Sequence, residues 1–245
     1  MKTPKLRFGA IGLEPRRNPS SSAVMDNALI IGASGGIGRA LGAALTERGV
    51  KVTGLTRSGD SLDITNEASV AEVLGRLAGP FDLIFVATGA LEINGAEPEK
   101  TLKSLEAAAM MDQFAVNCIG PSLVLKHSLA LMPRKGRAVF AALSARVGSI
   151  GDNAKGGWYS YRTAKAALNQ MIHTGAIELA RTHRQAICVA LHPGTVRTPF
   201  TEKYLDRHPA VAASEAAGNL LSVIDGLTPA QSGQFFDWQG KPVAW

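Results

Sequence analysis

The sequence predicts an α/β fold: one doubly wound, Rossmann-type parallel sheet of about seven strands, with helices on both faces. Two observations carry this. Short, nearly all-apolar runs alternate with segments of helical period from residue 27 onward, the signature of a parallel sheet buried on both sides. A glycine-rich turn stands between the first such run and the first helical segment, as in folds that bind ligands at the carboxyl ends of their strands.

The elements follow in order. Residues 28–32 (ALIIG) read as a strand, then a helix runs to about Arg48. KVTGL at 51–55 is a second strand, and a short polar connection reaches SLDI at 61–64. Residues 68–79 have helical spacing, and DLIFVA at 82–87 is a strand bounded by Pro80 and Gly89. A long helical region covers about 101–132, with a break predicted near Gly120-Pro121. RAVFAAL at 137–143 is a strand, Tyr159 to about His183 a long helix, and AICVALH at 186–192 a strand. Residues 214–226 are helical, and QFFDW at 234–238 is the last strand. Crossovers between parallel strands should be right-handed.

Composition narrows the class. Hydrophobic residues make up 46% and charged residues 19%, ordinary for a globular chain. No stretch nears the roughly 18 uninterrupted apolar residues of a membrane span. The net charge of +6 is lopsided: Lys2, Lys5, Arg7, Arg16 and Arg17 face Glu14 alone within residues 1–24. The remainder is nearly balanced and shows no basic stripe with interleaved aromatics, so neither a nucleic-acid nor a membrane partner is expected. Residues 1–24, with Pro4, Pro15, Pro19 and Ser20-Ser21-Ser22, read as a disordered basic extension, with Met25 an alternative start and a targeting role left open. Residues 25–245 form the one domain. Cys118 and Cys188 sit in apolar runs and read as buried hydrophobes, which suits a reducing cytoplasm. No metal-ligand spacing appears.

Two motifs carry chemistry. The turn reads Gly32-Ala33-Ser34-Gly35-Gly36-Ile37-Gly38. Glycines let backbone N–H groups approach a pyrophosphate, and the helix N-terminus behind them favours an anion. A tight strand–helix connection is the plainer alternative. The second motif is Tyr161-x3-Lys165, within a strong helical pattern. Residues four apart share a helix face, so an ammonium can stand beside the phenol and lower its pKa, preparing it for general acid–base work. Alone, this pair is common on solvated helices; it gains weight from the turn upstream.

The turn at 32–38, Asn117, Tyr161 with Lys165, and His192-Pro193-Gly194 together resemble the short-chain dehydrogenase/reductase family over about residues 27–245. FAVNCIGP, ALSARVGSIGDN, GGWYSYRTAKAALN and ALHPGTVRT look like its C-factor-like branch. The resemblance implies an enzyme that moves hydride between a nicotinamide cofactor and a small carbonyl or alcohol. It makes Tyr161 the acid/base, Lys165 the residue that tunes it and binds ribose hydroxyls, and Asn117 the holder of a relay water. It also assigns cofactor contacts to Gly32, Ser34, Gly35, Gly36, Ile37, Gly38, Asp63, Ile64, Ala87, Thr88, Gly89, Pro193, Gly194, Val196 and Thr198. A homodimer or homotetramer paired through the helices at 101–132 and 159–183 is implied too.

Two departures stand out. The family's Asn-Asn-Ala-Gly is here Val86-Ala87-Thr88-Gly89, and counting back from Gly148 puts Ala145 where the catalytic serine belongs. Ser144 is the nominated hydroxyl, with Ser149 nearby; adjacent strand residues face opposite ways, so Ser144 serves only if the strand end is irregular. The second strand ends Leu55-Thr56-Arg57-Ser58, with no carboxylate for a ribose 2′-OH and an arginine suited to a 2′-phosphate. NADP(H) is therefore the preferred cofactor and NAD(H) the second, a solvated Arg57 being the alternative. His192 reads as structural, and His173 and His183 as surface positions. Trp158 and Tyr159 shape the pocket rim, Asp152 and Asn153 belong to a loop that can border it, and Phe235, Phe236 and Trp238 pack core or an interface. The rival function is a dinucleotide-binding signalling protein of the C-factor kind, with weak or no turnover; retained Tyr161, Lys165 and Asn117 favour the enzyme.

Overall fold

The computed structural model describes residues 25–198, 201, 203 and 210–245. The extension at 1–24, and most of the stretch 199–209, lie outside the described residues.

Six strands form one sheet: β1 (Asn27–Ile31), β2 (Lys51–Leu55), β3 (Leu83–Val86), β4 (Ala138–Leu143), β5 (Ala186–His192) and β6 (Phe235–Asp237). Their order is β2-β1-β3-β4-β5-β6, and every neighbouring pair is parallel. Alternation along a strand sends side chains to opposite faces. Leu29 and Ile31 of β1 enter one core, with Val70, Val124 and Leu168 from the helices of that side. Ala28 and Ile30 enter the other, with Leu41, Leu45 and Leu220. The helices are α1 (Gly36–Glu47), α2 (Arg57–Asp60), α3 (Glu67–Gly75), α4 (Ala107–Phe114), α5 (Gly120–Ser128), α6 (Tyr159–Thr182) and α7 (Ala213–Gly226).

The expected seventh strand does not form among the described residues. The segment at 61–64, reached by the polar connection after β2, is a turn: Ser61 is left-handed at φ 55°, and Asp63 Oδ1 accepts from the Thr65 backbone N–H at 2.9 Å. The short helix α2 occupies part of what read as coil, capped by the Thr56 hydroxyl, which accepts from Gly59 N–H. The predicted break at Gly120-Pro121 is absent. Helix continues through it, because a proline at the first turn of a segment needs no intrahelical N–H partner. The irregularity lies earlier, as a single π turn at Ala115–Ile119.

By length and composition alone Ala107–Leu131 could cross a membrane, but 44% of its most apolar window is buried inside this domain. Its π turn and α4 pack against α6, with Gly175 admitting Leu125 from α5. Both cysteines are buried and free. His183, expected at the surface, is buried, with Nε2 lacking a partner.

Candidate active site

The carboxyl ends of β1, β3, β4 and β5 lie along one edge of the parallel sheet, where folds of this kind bind ligands. At the end of β1, Gly32 is left-handed at φ 87°, and its N–H and that of Ala33 donate to Leu55 O at 2.9 and 3.1 Å, tying the turn to β2. A Cβ on Gly38 would stand 2.2 Å from Gly32 O, so the helix can follow the strand this closely only with glycine there. Gly35 caps α1 without any side-chain acceptor for the first-turn N–H groups, and Ser34 and Gly35 are exposed. A helix N-terminus left this way can hold a phosphate. Ile37 packs into the core beneath. Thr198 closes over the turn, its Cγ2 2.7 Å from where a Gly36 Cβ would be.

At the end of β2, Arg57 opens α2 and is exposed. The one carboxylate in that short helix, Asp60, turns inward: its Oδ2 accepts from Thr56 N–H at 2.7 Å. Asp63 lies farther along, its carboxyl held below the usual range by the Thr65 hydroxyl first, then by the Thr65 N–H, with Arg57 adding attraction. Ile64 fills the space left by the missing side chain of Gly120.

Ala87, Thr88 and Gly89 follow the carboxyl end of β3. The Thr88 hydroxyl is buried and has no hydrogen-bond partner. A buried polar atom left this way is costly, and a ligand's polar group would satisfy it. A Cβ on Gly89 would meet Asn117 Oδ1 at 3.1 Å and Lys165 Nζ at 3.5 Å. Asn117, in the π turn, is fully buried; its Nδ2 donates to Ala90 O and Gln113 Oε1, and its Oδ1 accepts from Ala90 N–H.

Helix α6 brings Tyr161 and Lys165 to one face. Both are buried, and Lys165 Nζ lies 5.8 Å from the centre of the Tyr161 ring. Nζ donates to Leu143 O at the end of β4, at 2.9 Å. Burial pulls the Lys165 ammonium down to about 7, with Cys118 opposing, and pushes the Tyr161 phenol up. This corrects the expectation of a lowered phenol pKa. Burial of the phenol is the cause of its shift. Trp158, three residues before Tyr161, meets its ring edge-on at 6.3 Å between centroids.

Ser144 is buried at the end of β4, but its hydroxyl donates to Asn169 Oδ1 at 2.6 Å, a partner on α6 one turn beyond Lys165. Ser149 accepts from Asp152 N–H. Pro193 and Gly194 follow the carboxyl end of β5. Gly194, at φ 78°, lies under the Trp238 indole, 3.0 Å from its would-be Cβ. Val196 is buried, and its carbonyl accepts from the Thr201 hydroxyl. His192 ends β5, its Nδ1 buried and unpartnered. Burial first, and Arg146 second, pull its imidazole down to about 4.

Sequence reasoning passed over Asn169, Arg146 and Glu99, and placed Trp238 in core or an interface. Arg146 links Asp152 to Asp237, which is buried. Asn169 sits four residues after Lys165, a spacing that could have flagged it. Nothing local marks Glu99, which acts 61 residues away.

Comparison with known proteins places these features in context. The family model for short chain dehydrogenases matches residues 26–208. The "1-hydroxy-2-glutathionyl-2-methyl-3-butene dehydrogenase" of Rhodococcus sp. (strain AD45) is 29% identical over 237 residues, covering 90% of this chain and 100% of that protein. The "C-signal" of Myxococcus xanthus is 34% identical over 144 residues, 59% of this chain and 83% of its own length. Among solved structures, the NADPH-bound carbonyl reductase from chicken fatty liver superposes with a TM-score of 0.79 at 24% identity, over 96% of this chain and all of that one. A short-chain dehydrogenase/reductase from Burkholderia multivorans with bound NADP gives 0.73 at 25% identity, over 91% and 100%.

Proposed function

The chain belongs to the short-chain dehydrogenase family, and from that premise we propose that it is an NADPH-dependent carbonyl reductase or alcohol dehydrogenase with Tyr161 as general acid/base. The observation that carries this reading is the burial of Tyr161 and Lys165 on one face of α6, with Nζ 5.8 Å from the phenol ring and 3.5 Å from the Gly89 Cβ position after β3.

The residues fit a nicotinamide dinucleotide. The uncapped start of α1, with Gly32, Ser34, Gly35, Gly36, Ile37 and Gly38, would hold the diphosphate, and Thr198 would cover it. The unpartnered Thr88 hydroxyl, with Ala87 and Gly89, would meet polar groups of the ligand, as would Asp63 and Ile64 on the adenosine side. Pro193, Gly194 and Val196 would flank the ring. When bound, the cofactor supplies or accepts the hydride. Tyr161 donates its proton to the substrate carbonyl oxygen during reduction and recovers one through Lys165 and Asn117. Lys165 is near its titration point at neutral pH, so an added anion in the cleft favours its charged form. The charged form in turn favours phenolate, the direction in which protein burial alone does not move Tyr161.

The choice of NADPH rests on Arg57 at the end of β2, with Asp60 turned away onto Thr56. The neighbours with NADP or NADPH bound support it. Arg57→Ala should weaken NADPH binding about tenfold or more and leave NADH unchanged, since a charge-assisted fork is worth roughly 1.5–3 kcal/mol. The broader test is NADPH oxidation with aldehydes, ketones and quinones, comparing wild type with Tyr161→Phe; equal rates would remove the mechanism.

A second reading has its own observation. Ser144 spends its proton on Asn169, Ala145 stands in the family's serine position, and the C-signal protein is a relative. A protein that binds NADPH but turns over none of the panel would be a dinucleotide-dependent signalling protein.

A further inference from the structure

Helix α6 begins in an unusual way. Gly156, Gly157 and Trp158 are consecutive left-handed residues, with φ of 62°, 67° and 53°. Such a conformation costs a bulky aromatic residue about 1–2 kcal/mol and persists only where the surroundings enforce it. Trp158 is the N-cap of a 24-residue helix, and its indole, a donor only, cannot accept from the N–H groups of the first turn. The task falls to a residue 61 positions upstream. Glu99 is buried at 7% exposure. Its backbone carbonyl accepts from Trp158 N–H at 2.6 Å. Its carboxylate accepts from Ser160 N–H at 3.2 Å and from the Ser160 hydroxyl. An anion at a helix N-terminus is well placed electrostatically. Here it caps from outside the helix and holds the strained residue before it.

What lies next in the chain gives this clamp its meaning. Ser160 precedes Tyr161. Lys165 lies at i+4 from Tyr161 and shares the phenol's helix face, and the Trp158 indole meets the phenol ring edge-on at 6.3 Å. The segment carrying Glu99 starts after β3, where Asn117 holds both the N–H and the carbonyl of Ala90. One end of that segment is fastened beside Gly89 and the other to the helix that bears the phenol.

We propose that Glu99 is a positioning residue: by clamping Trp158 and Ser160 it sets where the Tyr161 oxygen and the Trp158 indole stand over the cleft. This deepens the reading of Tyr161 as acid/base and rests on it. Glu99 touches no reacting atom; it acts through the start of α6.

The test uses the full-length protein and the variants Glu99→Ala, Glu99→Gln, Ser160→Ala and Tyr161→Phe. NADPH affinity comes from fluorescence titration, and kcat from the carbonyl substrate that turns over best. Amide hydrogen exchange reads protection across 157–165. Misplacing a reacting group by about 1 Å can cost on the order of 100-fold, so Glu99→Ala should lower kcat at least about tenfold while NADPH Kd stays within about twofold. Exchange at 158–161 should rise and that of β4 and β5 stay fixed. A glutamine can accept from Ser160 N–H and donate to its hydroxyl, so Glu99→Gln should recover most of kcat, as a purely electrostatic role would not allow. If Glu99→Ala does not fold, the Gln and Ser160→Ala variants decide, with Ser160→Ala intermediate in both readouts. Wild-type kcat and wild-type exchange in Glu99→Ala, or in Ser160→Ala where Glu99→Ala does not fold, would overturn the proposal. Full activity in Tyr161→Phe would instead overturn the hydride mechanism, and exchange alone would then show whether the clamp exists.

Discussion

Lys165 shows the conflict between stability and chemistry on one side chain. It is buried, hydrogen-bonded to one backbone carbonyl, and pulled down to about 7 by desolvation. Burying that charge is a cost the fold carries. Lys165→Met should therefore leave the melting temperature unchanged or raised, while kcat falls at least about 100-fold if the ammonium supports the proton transfer; calorimetry and turnover on the same sample check both halves. Ser144 is the converse case. Its hydroxyl is already committed to Asn169, so Ser144→Ala should lower kcat only about tenfold, against the roughly 100- to 10,000-fold expected for removing the acid/base in Tyr161→Phe. Comparable losses in the two variants would mean that Ser144 turns toward the substrate. The Tyr161–Lys165 pair was legible from the helical period, whereas counting back from Gly148 pointed to Ala145 and left Ser144 as the neighbouring hydroxyl. The direction in which the Ser144 hydroxyl points was not legible, because its partner comes from a different element.

Among the elements, glycines separate the functional from the tolerant. Gly38 has Gly32 O 2.2 Å from any Cβ, whereas Gly218, inside α7, has nothing within 4 Å. Gly218→Ala should stabilise the protein by about 0.5–1 kcal/mol through helix propensity. Gly38→Ala should push α1 off the turn and abolish NADPH binding; denaturant titration and a Kd measurement distinguish the two. The alternating elements themselves could be read directly, since apolar strands and periodic helices carry their own signal. What could not be read was the edge of the pattern. The sheet has six strands where about seven were expected, and the predicted break at Gly120 is replaced by the π turn before it. Each outcome depends on one side chain or one backbone register, below the resolution of periodicity.

For the molecule as a whole, pH and assembly are the measurable consequences. His192 is pulled down to about 4 in the folded state, against a usual value near 6.5, and so stays neutral as pH falls while the unfolded chain takes up a proton. Its contribution is intact above about pH 6.5 and lost as pH drops toward 4, amounting to about 2 kcal/mol by pH 5. Urea titrations at pH 7 and pH 5 should show that loss in wild type and a smaller one in His192→Gln. The helices α4, α5 and α6, with the π turn between the first two, leave Met111 at 66%, Ile119 at 47% and Ile177 at 55% exposure. Apolar exposure of this kind marks association surfaces. Light scattering should give a homodimer or homotetramer, and the double variant Met111→Glu, Ile119→Glu should give a monomer. Oligomer formation was implied by resemblance alone; no sequence period announces which apolar residues a fold leaves outside.

The π turn at Ala115–Ile119 has a consequence for how this chain could have arisen and what changes it tolerates. A π turn is one residue more than an α-helix needs, so it has the form of a single-residue insertion absorbed without breaking the rod. Deleting Val116 would restore an uninterrupted α-helix and leave the turns on either side in their present register, because the wide turn has already taken up the extra residue. What would be lost is the widened turn that carries Asn117, and with it the bonds that fasten Ala90, while the helix became more regular.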